Sequence, residues 1–263
     1  MKHRDIVFVA ALAFTCANAR ADIMESFETF SPGSFPGGIW RDIGTVASPT
    51  PDIPTGQVID TIGPSGAATR AFQVFQRRSA SQGIIADIDP ASHHRVSADL
   101  RVDIHPTPVR FANWTSAMGF FQETTPAADI NNQPQTVVYV YDRKWYFYGA
   151  TSPAASINLK LSDLVVLAGV WYNATLEADT ATGSCRVVVS GFGGTVLLDR
   201  VVSIPGFNPD FGRYNRVAVF DGEYAPSAAT PGQFSADNIA YVPAPGSISA
   251  ILVMAGAWPR RRR

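Results

Sequence analysis

The chain reads as an all-β protein, a sandwich or a barrel, and three observations predict it. No run holds a 3.6-residue apolar period over a useful length. Short alternating or β-branched runs recur instead, parted by Gly, Pro, Asn and Asp. The 21 glycines and 19 prolines supply the many turns such a chain needs. With 46% apolar and 11% aromatic residues it can bury a full core.

Both ends stand apart from this pattern, which leaves residues 22–242 as one β domain. At the start, Lys2, His3 and Arg4 precede nine apolar residues, Ile6 to Phe14. Ala17-Asn18-Ala19 and Ala19-Arg20-Ala21 both fit a small-x-small cleavage site. Residues 1–21 therefore read as a secretory signal for signal peptidase, cut after Ala21, because nine apolar residues are too few to span a bilayer. Cys16 leaves with it, and Cys185 is then alone, so no intrachain disulfide is expected. Without the two ends, Lys+Arg falls from 21 to 14 and Asp+Glu from 22 to 21, leaving a domain of about −7. Such a balance speaks against a nucleic-acid partner, whose phosphates must be neutralised by Lys and Arg.

Within the domain, His94 to Ile104 alternates well. Val96, Ala98, Leu100, Val102 and Ile104 take a dry face, and Arg95, Ser97, Asp99, Arg101 and Asp103 a wet one. Two hairpins follow. Val137 to Tyr141 and Trp145 to Gly149 flank Asp142-Arg143-Lys144, and Trp171 to Asp179 and Cys185 to Ser190 flank Thr180 to Gly183. Gly183 can supply positive φ there. Val217 to Asp221 and Phe234 to Val242 read as late strands, while Leu161 to Val165 fits either a helical turn or a strand. Gly63-Pro64-Ser65-Gly66 reads as a turn.

Glu25-Ser26-Phe27-Glu28, Trp171 to Leu176 with the Asp179 to Gly183 turn, and Ala236-Asp237-Asn238-Ile239 together resemble concanavalin A-like, laminin G-like domains. The resemblance implies a two-sheet antiparallel jelly-roll sandwich. Many such domains bind glycans and some hydrolyse them, so function must be argued from sites. It also implies a structural Ca²⁺ between the first and last strands, for which Glu28 and Asp237 hold corresponding positions; Ca²⁺ accepts mixed sets of six to eight oxygens.

The last 22 residues carry a second resemblance. Val242-Pro243-Ala244-Pro245-Gly246-Ser247 precedes 11 apolar residues, Ile248 to Trp258, then Pro259 and four arginines. The order is similar to the PEP-CTERM sorting signal of Gram-negative bacteria, with Ala244 where that motif has Glu. It implies an exosortase partner and a cell-surface or extracellular-matrix destination. The apolar run is marginal for a permanent span even when counted from Val242 as 17 residues. The arginines stay cytoplasmic, and Pro243 and Pro245 keep the preceding stretch extended. Residues 243–263 are therefore expected to hold the chain in the inner membrane transiently until cleavage near Pro243.

Catalytic patterns are weak. Jelly-roll glucanases carry Glu-x-Asp-x-x-Glu on one strand, since alternate residues share a face. Here Glu177-Ala178-Asp179 is followed by Thr182 where the second Glu belongs, and Asp179 reads as the opener of the turn. Asp87 and Asp89 sit beside Pro90, and Asp99 and Asp103 share a strand face with arginines. His93, His94 and His105 lack metal-ligand spacing and read as surface residues. No catalytic residue is assigned. Tyr139, Tyr141, Trp145, Tyr146, Phe147 and Tyr148 crowd one hairpin, with Trp114 and Phe120-Phe121 near it in sequence. One face of that hairpin must be core. The other can offer rings to sugar C–H faces, which makes Trp114, Tyr139, Tyr141, Trp145, Tyr146 and Tyr148 the glycan-binding candidates. A non-catalytic surface or matrix protein that binds polysaccharide is the first reading; a divergent glycoside hydrolase or polysaccharide lyase is the second.

Overall fold

The computed structural model describes residues 23–43, 56–75, 82–107, 115–122, 134–152, 155–207, 214–221 and 232–243. Among them every regular element of two or more residues is a strand. One sheet contains β1 (Ile23–Glu25), β3 (Gly56–Ile62), β4 (Ala68–Phe75), β6 (His93–Ile104), β11 (Trp171–Asp179), β12 (Ser184–Gly191), β13 (Val196–Ser203) and β15 (Gln233–Pro243), in the order β13-β12-β11-β6-β15-β4-β3 with β1 on β15. The other contains β2 (Arg41–Asp42), β5 (Gln82–Asp87), β7 (Thr115–Phe121), β8 (Gln135–Tyr141), β9 (Lys144–Ser152), β10 (Ala155–Lys160) and β14 (Arg216–Asp221), in the order β10-β9-β8-β7-β14-β5-β2. All pairings are antiparallel. Two antiparallel sheets face to face confirm the expected sandwich.

The core lies between the sheets. From the first sheet it takes Phe72, Val74, Val96, Leu100, Leu176, Val187, Phe234 and Tyr241, and from the second Ile84, Met118, Phe120, Val138, Trp145, Phe147, Val217 and Val219. Alternation along each strand produces this division, because successive side chains point to opposite faces. The Asp179–Gly183 turn forms as its residues suggest. Asp179 Oδ1 accepts from Ala181 N at 2.9 Å, its Oδ2 accepts from Thr182 Oγ1 at 2.8 Å, and Gly183 takes φ 71°.

Several details depart from the sequence reading. Ile104 ends β6 on an exposed position, past the reach of the opposing sheet. Leu161 to Val165 is neither helix nor strand. It is an extended strap whose ends are tied to the β8–β9 hairpin by Leu161 N to Trp145 O and Val166 N to Arg143 O, with Leu161 and Val166 in the core. His94 is buried rather than on the surface. It sits among Phe120, Tyr214 and Tyr241, with Nδ1 3.0 Å from the Tyr241 hydroxyl, and burial pushes its pKa down to about 4. It lies on the dry face because that face of β6 begins two residues, one inward position, earlier than the aliphatic pattern shows. His105 is half-buried, with Nε2–H donating to Val166 O at 3.0 Å.

Strand β15 organises the chain ends. Its first half, Gln233 to Ala236, pairs β4, and its second half, Ile239 to Tyr241, pairs β1 along the same edge. The change of partner falls at a bulge where Asn238 takes φ 49°. Ile23 lies opposite Tyr241, and Pro243, the last residue of β15, lies opposite His94. Both ends of the domain thus leave from one end of the sandwich. Residues 1–21, Ala244 and Pro245, with the rest of the tail, lie outside the described residues. Among the described residues no helix is long and apolar enough to cross a membrane.

Candidate functional site

The outer face of the seven-stranded sheet carries a second apolar cluster: Ile43, Ile85, Ala117, Phe121, Val137, Tyr139, Ala218 and Phe220, with Tyr141, Tyr146 and Tyr148 packed against it. Cross-strand register sets its layout. Asn158 of β10 lies opposite Tyr148, which lies opposite Val137; one row on, Lys160 lies opposite Tyr146, which lies opposite Tyr139. The Tyr139 and Tyr146 rings stack with centroids 5.7 Å apart, and Tyr141 meets Tyr146 edge-on at 5.5 Å. The middle of the face is buried, whereas Tyr141, Tyr146 and Tyr148 are half-buried and Asn158 and Lys160 exposed. Three accessible rings beside an amide and an ammonium make a platform that can stack on C–H faces and hydrogen-bond to hydroxyls.

The sequence-derived candidates divide on this platform. Tyr141, Tyr146 and Tyr148 are together and accessible. Tyr139 is on the same face but only 1% exposed, and its hydroxyl donates to Asn158 Oδ1 at 2.8 Å, so its ring supports the platform and cannot stack on a ligand. Burial raises the Tyr139 phenol well above its ordinary value. Trp145 is a correction. It points the other way, is 1% exposed, and meets Tyr172 in the core, because it alternates with Tyr146 along β9. Phe120 is likewise core and Phe121 is buried. Trp114 lies outside the described residues. Asn158 and Lys160 were missed, although Ser156, Asn158 and Lys160 alternate with Ile157 and Leu159 as an edge strand should.

The outer face of the other sheet is polar and satisfied from within. Asp103 accepts from Arg101 Nε at 2.6 Å, Ser235 Oγ at 2.6 Å and Gln73 Nε2 at 3.1 Å. The Arg101 guanidinium lies 4.7 Å over the Trp171 ring, and each partner of the Arg101–Asp103 pair is only 14% exposed. The expected solvated face of Asp99, Asp103 and Arg101 is thus an ordered network, formed because β15 lies beside β6 and β4 beside β15, and these supply Ser235 and Gln73. Asp99 accepts from Asn173 and Asn238, both at 2.8 Å. Glu177 pairs with Arg95 at 3.7 Å, and Asp87 with Arg41 at 2.6 Å and Arg216 at 3.0 Å. Asp89 is exposed, and His93 lies 3.4 Å from Asp179.

Glu28 and Asp237 do meet, at the bulge where β1 gives way to β4. Thr69 Oγ1 lies 2.6 Å from Glu28 Oε1 and 3.2 Å from Asp237 Oδ2. Arg70 N donates to Glu28 Oε1 at 3.0 Å, and Arg70 Nη1 donates to the carbonyls of Glu28 and Phe30 at 2.8 and 3.0 Å. Hydrogen bonds from Thr69 and Arg70 hold the Glu28 carboxyl below its ordinary value. Asp237 is 1% exposed, and burial, helped by the charges of Asp99 and Glu28, pushes it up to about 6. Two carboxylates and a hydroxyl give three hard oxygens, half of the smallest calcium shell. The nearby carbonyls are committed to Arg70, so water would have to complete the set. Among the described residues no group of three or more His, Cys, Asp or Glu could hold a metal ion.

No protein-family model and no curated protein matches the chain. Solved structures do. The cellulose-induced protein Cip1 is 14% identical, with a TM-score of 0.51 over 84% of this chain and 96% of its own. An endo-1,3-β-glucanase from Streptomyces sioyaensis is 12% identical, with a TM-score of 0.50 over 85% and 95%. A protein from work on endo-acting O-glycanases, with which prominent members of the human gut microbiota initiate mucin breakdown, is 11% identical, with a TM-score of 0.57 over 86% and 100%. At these identities the likeness establishes the fold, and with the two antiparallel sheets above it makes this chain an all-β, concanavalin A-like jelly roll.

Proposed function

We propose that this is an exported, exosortase-sorted protein of a Gram-negative cell surface or matrix, whose jelly roll binds polysaccharide without cleaving it. The observation that carries the binding reading is the platform of Tyr141, Tyr146 and Tyr148, half-buried on one sheet face beside Asn158 and Lys160. Neighbours of the same fold are named as a glucanase and as glycan-degrading proteins, which supports a sugar ligand at the level of class. Export rests on the signal segment 1–21, and sorting on the Pro243-Ala244-Pro245 tail. Signal peptidase and exosortase are the partners these imply.

The non-catalytic part rests on where the carboxylates are spent. Asp179 caps a turn, and Asp87, Asp99 and Asp103 are each bound by two or more neighbours. The competing hydrolase or lyase reading has one observation in its favour. Glu28 and Asp237 share a hydroxyl and are shifted in opposite directions, as an acid and its partner would be. Asp237 is buried, however, and Thr69 fills the space a glycosidic oxygen would need. A calcium ion at Glu28, Thr69 and Asp237 belongs to the same proposal as a structural element.

Retention of the full chain on insoluble polysaccharides, with release of reducing ends followed in parallel, tests the reading. Binding without release is expected, and the Tyr146→Ala/Tyr148→Ala variant should bind at least about tenfold more weakly while keeping its strand circular dichroism, with a lower melting temperature because both rings are half-buried against the apolar cluster. Undiminished binding by that variant would remove the platform from the reading. Release of sugar that vanishes in Asp237→Asn would make the protein an enzyme.

A further inference from the structure

A cavity of about 300 Å³ opens at the end of the sandwich away from the chain termini. It is lined by His105, Pro106 and Thr107 of the crossover after β6, Thr115 and Val140 of β7 and β8, and Asp142 and Arg143 of the hairpin turn. Its place follows from topology. His94, near the start of β6, pairs with Pro243 at the exit of the chain; Ile104, ten positions on, pairs with Gln233 at the other end. At about 3.3 Å per residue the cavity lies roughly 35 Å from the strand ends that lead to the membrane tail.

Two features of the lining are costly to the empty protein. Thr115 is 1% exposed, and its Oγ1 is buried with no hydrogen-bond partner among the described residues. A buried hydroxyl left unpaired destabilises the fold. The two-residue turn between Tyr141 and Lys144 takes φ 45° at Asp142 and 57° at Arg143. That conformation suits Asn-Gly, not Asp-Arg. The strained pair nevertheless places Asp142 and Arg143 among the residues that line the cavity, and such strain persists where a site needs it. His105 spends its Nε2–H on the Val166 carbonyl, which leaves Nδ1 as an acceptor.

We infer that this cavity is a second binding subsite, for a single neutral sugar residue such as the end of a glycan chain. Opposite charges on Asp142 and Arg143 cancel, so the matching ligand carries no net charge. Asp142 and His105 Nδ1 accept while Arg143 and Thr115 donate, and Thr115 can do both. Hydroxyl groups, each donor and acceptor, satisfy such a mixed set. Val140 and Pro106 give apolar wall for the C–H side of a ring. The volume is at the bottom of the usual range for ligand pockets, about 300 to 1,000 Å³, which suits one ring and not a chain. This rests on the glycan-binding reading and deepens it. The tyrosine platform takes the chain's length, and the cavity takes its end, on the side of the domain that faces outward when the tail is in the membrane.

The test uses the full chain in mild detergent, ¹⁵N-labelled, titrated with glucose, galactose, mannose and N-acetylglucosamine, and with glycine as a zwitterion of similar reach. At least one sugar is expected to shift the amides of Thr115, Val140, Asp142 and Arg143 saturably. Thr115→Val should weaken that binding tenfold or more while raising the melting temperature by about 2 to 4 °C, because it removes the unpaired hydroxyl. Asp142→Asn/Arg143→Gly should also raise the melting temperature and abolish the shifts. A threonine with only a structural role would give the first effect without the second. Saturable shifts from glycine alone, or sugar binding unchanged in both variants, would overturn the inference. Polysaccharide retention with no sugar shifting these amides would sink the cavity and leave the platform standing; loss of both would sink the glycan reading itself.

Discussion

Replacing Asp237 by asparagine is expected to stabilise the metal-free protein at neutral and alkaline pH and to leave it unchanged near pH 4. The carboxyl is buried at the β1–β15–β4 junction with Asp99 and Glu28 close by, and it is raised from an ordinary 3.8 to about 6. A folded-state value above the unfolded one means that the native protein binds more protons than the unfolded chain between pH 4 and 6. Stability therefore falls as pH rises through that window, and the full penalty is present above about pH 7. At 1.36 kcal/mol per tenfold change in proton affinity, the penalty is about 3 kcal/mol at most. The hydrogen-bond pattern agrees. Thr69 has one hydroxyl proton and two carboxylates at 2.6 and 3.2 Å. The amide of the substituted side chain would donate to the Thr69 oxygen, while its own oxygen keeps the bond from Asn238 N, now 2.7 Å. Denaturant unfolding of wild type and Asp237→Asn in chelator, at pH 4, 6 and 8, reads the difference. A gain that grows with pH supports the argument, and one that is absent or constant with pH refutes it. Added calcium should narrow the gap at pH 8 by stabilising the wild type alone; if it changes neither protein, the calcium proposal fails.

Three further changes have directions fixed by the structure. Arg101→Ala should cost about 3 to 5 kcal/mol in chemical denaturation, since it leaves Asp103 largely buried without its cation. Gly183→Ala should cost about 2 kcal/mol or more, because Gly183 takes φ 71° and an added Cβ would stand 2.4 Å from the Phe207 ring; thermal melting checks it. Cys185 is buried, with its thiol pushed up to about 12, so the native protein should resist thiol reagents. After denaturation, secreted protein should titrate one thiol if Cys16 has left with the signal and two if it has not.

Alternation made the fold legible where one face is dry and the other wet. β6, β11 and β12 show that rhythm, whereas β8 and β9 were read as strand-like runs around the polar Asp142-Arg143-Lys144. β13 was missed. On that edge strand Val196, Leu197 and Val201 are exposed and Leu198 and Val202 buried, so apolar residues fall on both faces and the rhythm disappears. The aromatic hairpin showed the limit of the same reasoning. Both of its faces carry rings, and sequence alone could not assign the core to Trp145 and Phe147 rather than to the tyrosines. Glu28 and Asp237 were singled out together as a calcium pair, and in the fold both lie within reach of the Thr69 hydroxyl, yet Thr69 and Arg70 come from a hairpin that no pattern singled out. The cavity was beyond sequence altogether, because it is assembled from a crossover, two strand ends and a turn.

The placement of the chain ends bears on the proposed sorting. Ile23 and Tyr241 face each other across neighbouring strands about 4.8 Å apart, and Pro243 still lies opposite His94. The expected signal-peptidase cut, after Ala21, therefore falls two residues before the first described pair, and the proposed exosortase cut just beyond Pro243 falls after the last described pair. Neither cut would remove a strand or a core side chain. Cleavage beyond Pro243 would leave β15, which binds β1, β4 and β6 at once, complete. A cut before Tyr241 would instead strip the partner of Ile23 and a ring that packs on His94 and Phe120. The proposed cuts and the ends of the described strands agree within about two residues at both ends, which supports the proposal that the domain is released already folded.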